Sequence, residues 1–263
     1  MSDGFATRLK EWRRRRRMSQ LTLGLAANVS ARHISFLETG RARPSRGMVL
    51  SLAERLAAPP AVRNAMLLGA GFAPIYGSRR WDDAELAPVR AAVDRLLTRH
   101  APYPGFAIDR HWRLVQTNAP ASALFGTVGL SSGCDLIAAL TPGGALAPMI
   151  ENIEEVHAYM AARLRTEAAH LGGDAVLEEA AARLTQAAGP PASADGALLP
   201  AAAATRLRVG DATLSLFSTV AQFGAADDAT LADLRIELLF PADAPSERWL
   251  TQAFSALADP PPR

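Results

Sequence analysis

The chain has 263 residues and a single cysteine, Cys134. With no second cysteine to pair with, an internal disulfide and a cysteine-rich zinc site are both excluded. Lysine is equally scarce, with Lys10 the only one; this suggests a GC-rich coding sequence and says nothing about mechanism. No run of about 18 apolar residues occurs, so no membrane span is expected. The N-terminus lacks the apolar core of a secretory signal, and its basic run adjoins an amphipathic helix. A cytoplasmic location without a membrane partner is the expectation. No Ser-His-Asp pattern, P-loop or GxGxxG motif stands out. Glu154 and His157 form an ExxH pair at the helical spacing used in di-iron bundles, but such sites need a second pair and further carboxylates. No metal, no cofactor and no catalytic role are therefore expected. His157 is expected to be an ordinary, partly exposed helix residue, and Cys134 a small buried or loop residue.

What the sequence does have is a charge asymmetry. Residues 1–80 carry 15 Lys and Arg against 4 Asp and Glu, a net +11. Residues 81–263 carry 13 against 22, a net −9. A basic module joined to an acidic one is the footprint of a nucleic-acid binder with a separate second domain. Within the basic module, residues 19–46 read SQLTLGLAANVSARHISFLETGRARPSR. This is the layout of a helix-turn-helix: a short helix, a turn, a second helix opened by a capping serine, then a basic loop. A preceding helix is predicted over residues 5–17, with Phe5, Leu9 and Trp12 as one apolar stripe and Arg13 to Arg17 around its last turns. Ser19 is predicted to cap the second helix, whose buried side is Leu21, Leu23, Leu25 and Ala26. Ser30 caps the third, with Ile34 and Leu37 inward and Gly40 at its end. A fourth begins near Ser45, burying Val49, Leu52, Ala53 and Leu56, and a fifth spans residues 61–70.

Gly69, Gly71, Pro74 and Gly77 mark a boundary. The expected division is a DNA-binding domain over residues 1–72, a linker over 73–82 and a second domain over 83–263. In that second domain a helix is predicted over 88–100 and strands over 105–109 and 112–117. Asn118 then caps a short helix, and residues 135–188 are helical with breaks near 142–144 and 172–173. Residues 189–200 read as a loop. A hairpin over 204–209 and 212–223 turns at Gly210-Asp211, and a last strand covers 234–240. The pattern is two strands, a block of helices, then three strands.

Residues 5–70 resemble, end to end, the five-helix domain of the lambda-repressor or Cro type, the xenobiotic-response-element (XRE) family. The resemblance rests on Gln20, Leu23, Ala26, Val29-Ser30, Ile34-Ser35, Leu37-Glu38, Gly40 and Pro44-Ser45. Gly24 departs from it, since the family usually has Ala there, and Gly weakens a helix. The remainder resembles the ligand-binding domain of MmyB-like transcription regulators. It does so through GFAPIY at 71–76, APYPGFAIDRHW at 101–112, LSLFSTVAQFG at 214–224 and TLADLRIELLFPAD at 230–243. These resemblances imply a multi-domain protein: an all-α lambda-repressor-like five-helix DNA-binding domain and an α+β PAS-like ligand-binding domain associated with fatty-acid-like ligands.

Candidate DNA contacts follow from the second helix of the motif. With Ile34 and Leu37 inward, Ala31, Arg32, Ser35 and Phe36 face out, and Ser30 and His33 share the helix opening. An arginine near the start of such a helix can donate two hydrogen bonds to guanine O6 and N7, so Arg32 is the first choice for base readout. Ala31 and Phe36 are placed for a thymine methyl, with packing as the alternative for Phe36. Gln20 sits where family members place a phosphate or base contact. Arg41, Arg43 and Arg46 are candidates for phosphates, as are Arg14 and Arg16, for which a solvated helix end is the alternative. In the second domain Phe106, Trp112, Leu114, Val156, Met160, Phe217, Phe223 and Phe240 either fill a core or line a cavity for an apolar ligand. Asn118 and Arg113 are candidates for its polar mouth. The expected function is a transcription regulator, a homodimer on double-stranded DNA, whose sensor domain takes a small apolar effector. The rival is a constitutive regulator whose second domain only dimerises or binds a protein.

Overall fold

The computed structural model describes residues 4–77, 80–171, 173–189, 204–223 and 228–258. Apart from Gly189, the loop predicted at 189–200 lies outside them. The chain divides into two compact units. One holds Met1–Arg79 with Ala168–Asp174 and Ala225–Ala232; the other holds Arg80–Glu167, Ala175–Gly224 and Asp233–Arg263.

The N-terminal segment of the first unit forms five helices: α1 (Phe5–Arg15), α2 (Gln20–Ala26), α3 (Ala31–Glu38), α4 (Arg46–Arg55) and α5 (Pro60–Gly69). The Phe5, Leu9 and Trp12 stripe of α1 is buried. This helix ends two residues earlier than predicted, and Arg17 takes a positive φ of 52°. Ser19, Ser30 and Ser45 cap α2, α3 and α4 by accepting from the amides of Thr22, His33 and Met48. Each cap satisfies an N–H that the first helical turn leaves without a partner. Gly40, at φ 72°, ends α3 in the left-handed conformation that glycine adopts freely. Leu23, Ile34, Leu37, Val49, Leu52, Leu56, Met66 and Leu67 form the sealed core.

The expected inward face of α2 is corrected by the structure. Leu21 is 60% exposed and Leu25 74%, and Ala26 is exposed too; only Leu23 and Gly24 are buried. Residues two apart on a helix point about 200° apart, so once Leu23 faces the core, Leu21 and Leu25 must face away. Gly24 faces the turn into α3. A Cβ there would stand 2.7 Å from the Val29 carbonyl oxygen, so the missing side chain lets the turn close.

The second unit opens with α6 (Ala87–His100), then β1 (Gly105–Ile108), β2 (Leu114–Thr117), α7 (Ala119–Gly126), α8 (Leu136–Leu140), α9 (Ile153–His170) and α10 (Ala175–Ala188). It continues with β3 (Thr205–Val209), β4 (Ala212–Gln222), α11 (Ala229–Asp233, most of which belongs to the first unit), β5 (Arg235–Pro241) and α12 (Ala244–Ala258). The strands form one antiparallel sheet in the order β2-β1-β5-β4-β3. Register assigns the faces, because paired residues share a side and alternate residues do not. Ala107 pairs with Ile236 and Ala221 with Ile236; this face packs on Val93 and Leu97 of α6. Phe106 pairs with Glu237, and Ser218 with Leu239, on the opposite face.

Two departures from expectation have local causes. Trp112 has φ 63° and the β1–β2 register shifts between Ala107 and Ile108, so β2 begins at Leu114 instead of 112. The helix α12 was not expected. Asp243 accepts a hydrogen bond from the Ser246 amide at 2.8 Å, a capping contact, and Leu250 and Phe254 then bury against Leu214 and Leu216. The short α11 was not expected either.

Candidate functional site

The helix-turn-helix surface is organised around one buried carboxylate that sequence reasoning did not assign. Glu38, at the end of α3, accepts two bonds from the Arg13 guanidinium of α1, at 2.6 and 3.0 Å. It accepts a third from the Gln20 side-chain amide of α2, at 2.8 Å. Burial works against its charge, but Arg13 and Gln20 outweigh it and hold the Glu38 carboxyl below its ordinary pKa. Three helices are thereby pinned to one another, which fixes how α3 is presented. One N–H of the Gln20 amide is thus engaged within the protein.

Along α3, Arg32 is exposed, and Ala31, His33, Ser35 and Phe36 are half-buried. The Arg32 guanidinium lies 5.2 Å from the centroid of the Phe36 ring, a stacking that orders the arginine and gives Phe36 a contact within the protein. The Ser30 hydroxyl is spent on the His33 amide as the helix cap. Arg41, Arg43 and Arg46 are exposed in the loop and first turn that follow. The arginine run is not uniform. Arg14 is exposed. Arg16 donates from Nε to the Leu56 carbonyl and from Nη2 to the Ala57 carbonyl, each at 2.8 Å, so its guanidinium caps the C-terminal end of α4. Arg16 therefore already holds two partners within the protein.

In the second unit a cavity of about 200 Å³ lies between the Phe106 face of the sheet and helices α7, α8 and α9. Of the predicted ligand residues it brings together Phe106, Trp112, Val156, Met160 and Phe217. The helices add Leu124, Phe125, Leu136 and Leu140, and the strands Leu207, Leu216 and Leu239. The spacing of Val156 and Met160 on α9 turns both inward from one stripe.

The other candidates lie elsewhere. Leu114 is buried outside the cavity wall. Asn118 is fully engaged: its Oδ1 accepts from the amides of Gly105 and Ala121, and its Nδ2 donates to the carbonyls of Leu97 and Tyr103. It caps α7 and ties that helix to β1, leaving nothing for a ligand. Arg113 is also outside the wall, 3.5 Å from the Gly133 carbonyl. Phe223 packs on the α6 side of the sheet. Phe240 stacks on Phe217, with centroids 5.7 Å apart, and meets the His100 ring at 4.9 Å. Neither Phe223 nor Phe240 lines the cavity.

The wall also holds a polar group that the sequence reading missed. Arg163 of α9 and Glu237 of β5 line the cavity as an ion pair, with Ser218 bonded to Glu237 and Tyr159 one helical turn before Arg163. Arg163 also bonds Glu167 at 3.0 Å, and Glu167 pairs in turn with Arg235. The Trp112 indole N–H donates to Glu167 at 2.9 Å, and its ring lies 4.6 Å from the Arg163 guanidinium and 5.4 Å from that of Arg235. Burial disfavours the Arg163 charge, but Glu237 and Glu167 more than compensate and raise its pKa. Two signals were available. Arg163 falls three residues after Met160 on the inward stripe, and Glu237 interrupts an apolar strand.

His157 is buried, against expectation, with Nε2 donating to the Leu140 carbonyl at 2.7 Å. Among the described residues no group of three or more His, Cys, Asp or Glu is arranged to hold a metal, and no helix is long and apolar enough to cross a membrane.

Comparison with known families matches both units. Residues 89–253 match the MmyB-like transcription regulator ligand binding domain, and residues 5–66 match a helix-turn-helix domain. No curated protein matches the chain. The chain belongs to the MmyB-like transcription regulators and is a DNA-binding regulator with a ligand-binding domain.

Proposed function

We propose that the protein is a homodimeric, sequence-specific regulator whose second domain binds an apolar, fatty-acid-like effector and passes that state to the DNA-binding heads. The observation that carries the effector reading is the cavity, walled by aliphatic and aromatic side chains with one polar cluster, in the domain matched to ligand binding. Such a site suits an elongated apolar molecule with a polar end. The strand order β2-β1-β5-β4-β3, with helices inserted between the second and third strands, supports a PAS-like assignment. We take residues 1–72 as the DNA-binding domain, 73–82 as linker and 83–263 as sensor and dimerisation domain, acting in the cytoplasm without catalytic chemistry of its own.

The mechanism is linkage. An effector that favours one arrangement of the sensor shifts the population of arrangements, and DNA affinity changes by the same coupling free energy. Dimerisation sets two recognition helices at half-sites about 34–36 Å apart, or multiples of that. The basic heads repel one another, so the acidic domain is the better dimer contact. Arg32 reads a base and Arg41, Arg43 and Arg46 hold phosphates. The test is mass spectrometry of the natively purified protein, followed by operator binding before and after delipidation. A co-purifying apolar molecule whose removal changes DNA affinity is the expected result. Unchanged affinity with and without every bound apolar molecule would instead favour a constitutive regulator.

A further inference from the structure

We infer that Arg32 and Phe36 act as one reader, selecting a guanine whose neighbouring base pair carries a 5-methylpyrimidine, thymine or 5-methylcytosine. This rests on the proposed base readout by Arg32 and specifies its chemistry. The two residues are four apart on α3, so they lie one above the other on its outer face. The Arg32 guanidinium lies 5.2 Å from the centroid of the Phe36 ring, and Arg32 is exposed while Phe36 is half-buried. Among the described residues four other arginines stack on an aromatic ring: Arg16 on Trp12, Arg63 on Tyr76, and Arg163 and Arg235 on Trp112. Each of those also donates hydrogen bonds within the protein. The N–H groups of Arg32 meet no acceptor among the described residues. The ring therefore holds this guanidinium by its face and leaves the donor edge open.

A guanidinium held in this way is ordered before it meets DNA, so less freedom is lost when it donates to guanine O6 and N7. Two parallel hydrogen bonds bring the guanidinium into the plane of that base. Whatever stacks on its face then lies at the level of the next base pair, about 3.4 Å along the duplex. For Arg32 that neighbour is the Phe36 ring. Its placement is supported by the backbone, since the Phe36 carbonyl accepts from the amides of Arg41 and Ala42 at 2.9 and 3.1 Å. The major-groove edges offer donors and acceptors at every base and one apolar group, the C5-methyl of thymine. A phenyl ring satisfies none of the polar atoms and gains by covering the methyl. 5-Methylcytosine presents the same methyl at the same place, whereas cytosine and uracil present none.

The experiment uses the full-length protein in two stages. Binding-site selection should return a half-site with a guanine beside a thymine, in either strand of the neighbouring pair; a consensus without that step would overturn the inference. Affinities are then measured for synthetic operators altered only at that thymine. Deoxyuridine in its place removes the methyl and should weaken wild-type binding about fourfold, the equivalent of one buried methylene. With cytosine at that position, methylating C5 should strengthen binding by a similar factor. F36A should respond to neither change, whereas R32A should lose the guanine preference. Each ratio compares two DNAs on one preparation, so a partly folded variant does not distort it, and the wild-type ratio alone decides if F36A does not fold. Wild-type affinity unmoved by deoxyuridine would overturn the inference while leaving base readout by Arg32 intact. An equal loss in F36A would also overturn it, by placing the methyl contact on another residue. If R32A selects the wild-type consensus, the base-readout assignment falls and this inference with it.

Discussion

Replacing Glu38 by Gln tests whether the helix-turn-helix is held together by the buried carboxylate. The Arg13 side chain is 11% exposed and that of Glu38 2%. An exposed ion pair contributes about 0–1 kcal/mol, whereas removing one partner of a buried pair costs about 3–5 kcal/mol because the other charge is stranded. Arg13 keeps a bond to the Met18 carbonyl at 2.7 Å and some contact with water, so the cost should fall below that range, at about 2–3 kcal/mol. In a domain of 60–100 residues each kcal/mol shifts the melting midpoint by about 4–8 °C, so the E38Q domain should melt about 10–20 °C lower. Circular dichroism melting of the full chain, with hydrogen exchange resolved to α1, α2 and α3, would measure this. A double-mutant cycle with R13A should return a coupling of at least about 1 kcal/mol. A loss below about 0.5 kcal/mol, or simple additivity, would mean the pair behaves as a surface contact and the argument from burial is wrong. The pH dependence has a definite sign. The folded pKa of Glu38 is lowered, so its contribution is complete above the ordinary carboxylate range and is lost as pH falls through the folded value. Wild type should lose stability in that acid window faster than E38Q, so their difference should shrink there.

Three further outcomes follow from the DNA-binding unit. R32A should lose discrimination at one base position by about 1–3 kcal/mol; a binding-site selection that returns the wild-type consensus would remove Arg32 from base readout. R14A and R16A should separate: R14A should reduce the slope of log K against log salt by about one without altering stability, while R16A should lower the melting midpoint because it uncaps α4. Equal salt effects and equal stability for the two would contradict the different surroundings of these arginines. G24A gains about 1 kcal/mol of helix propensity but sets a methyl 2.7 Å from the Val29 carbonyl oxygen. Overpacking of that kind costs about 1–3 kcal/mol, so the melting midpoint should stay level or fall, and a more stable G24A would show that the turn yields readily.

Most of the first unit was legible because its signals are local. Ser19, Ser30 and Ser45 each precede a helix by one residue, and the 3.6-residue period identifies Leu9, Ile34, Leu37 and Leu52 as core. The misassignment of Leu21 and Leu25 has a physical origin. A seven-residue helix offers too few turns for periodicity to choose between two faces, and bulk hydrophobicity then favours the leucine-rich one. What selects the Leu23 face is tertiary: Gly24 must lie against the turn, and Leu23 is its immediate neighbour. The Arg13–Glu38 pair was hidden for the same reason, because a separation of 25 residues leaves no local signature and five successive arginines look alike until their neighbours are known.

The cavity shows where alternation stops being informative. Along β5 the period of two separates Glu237 and Leu239 from Ile236, Leu238 and Phe240. When one face of a sheet meets water, polarity identifies the buried face. Here α6 packs one face and the cavity-forming helices cover the other, so both are apolar and the pattern does not choose between them. Size and hydrophobicity pointed to Phe223 and Phe240, which a well-packed α6 interface also demands. The residue that distinguishes the faces is the charged one. A carboxylate in an otherwise apolar strand is costly to bury unless it is paired, and its cation must come from the element laid over the same side. Arg163 stands on the stripe of α9 that already carries Val156 and Met160, so the pairing of Glu237 with Arg163 identifies the face, the covering helix and the cavity between them.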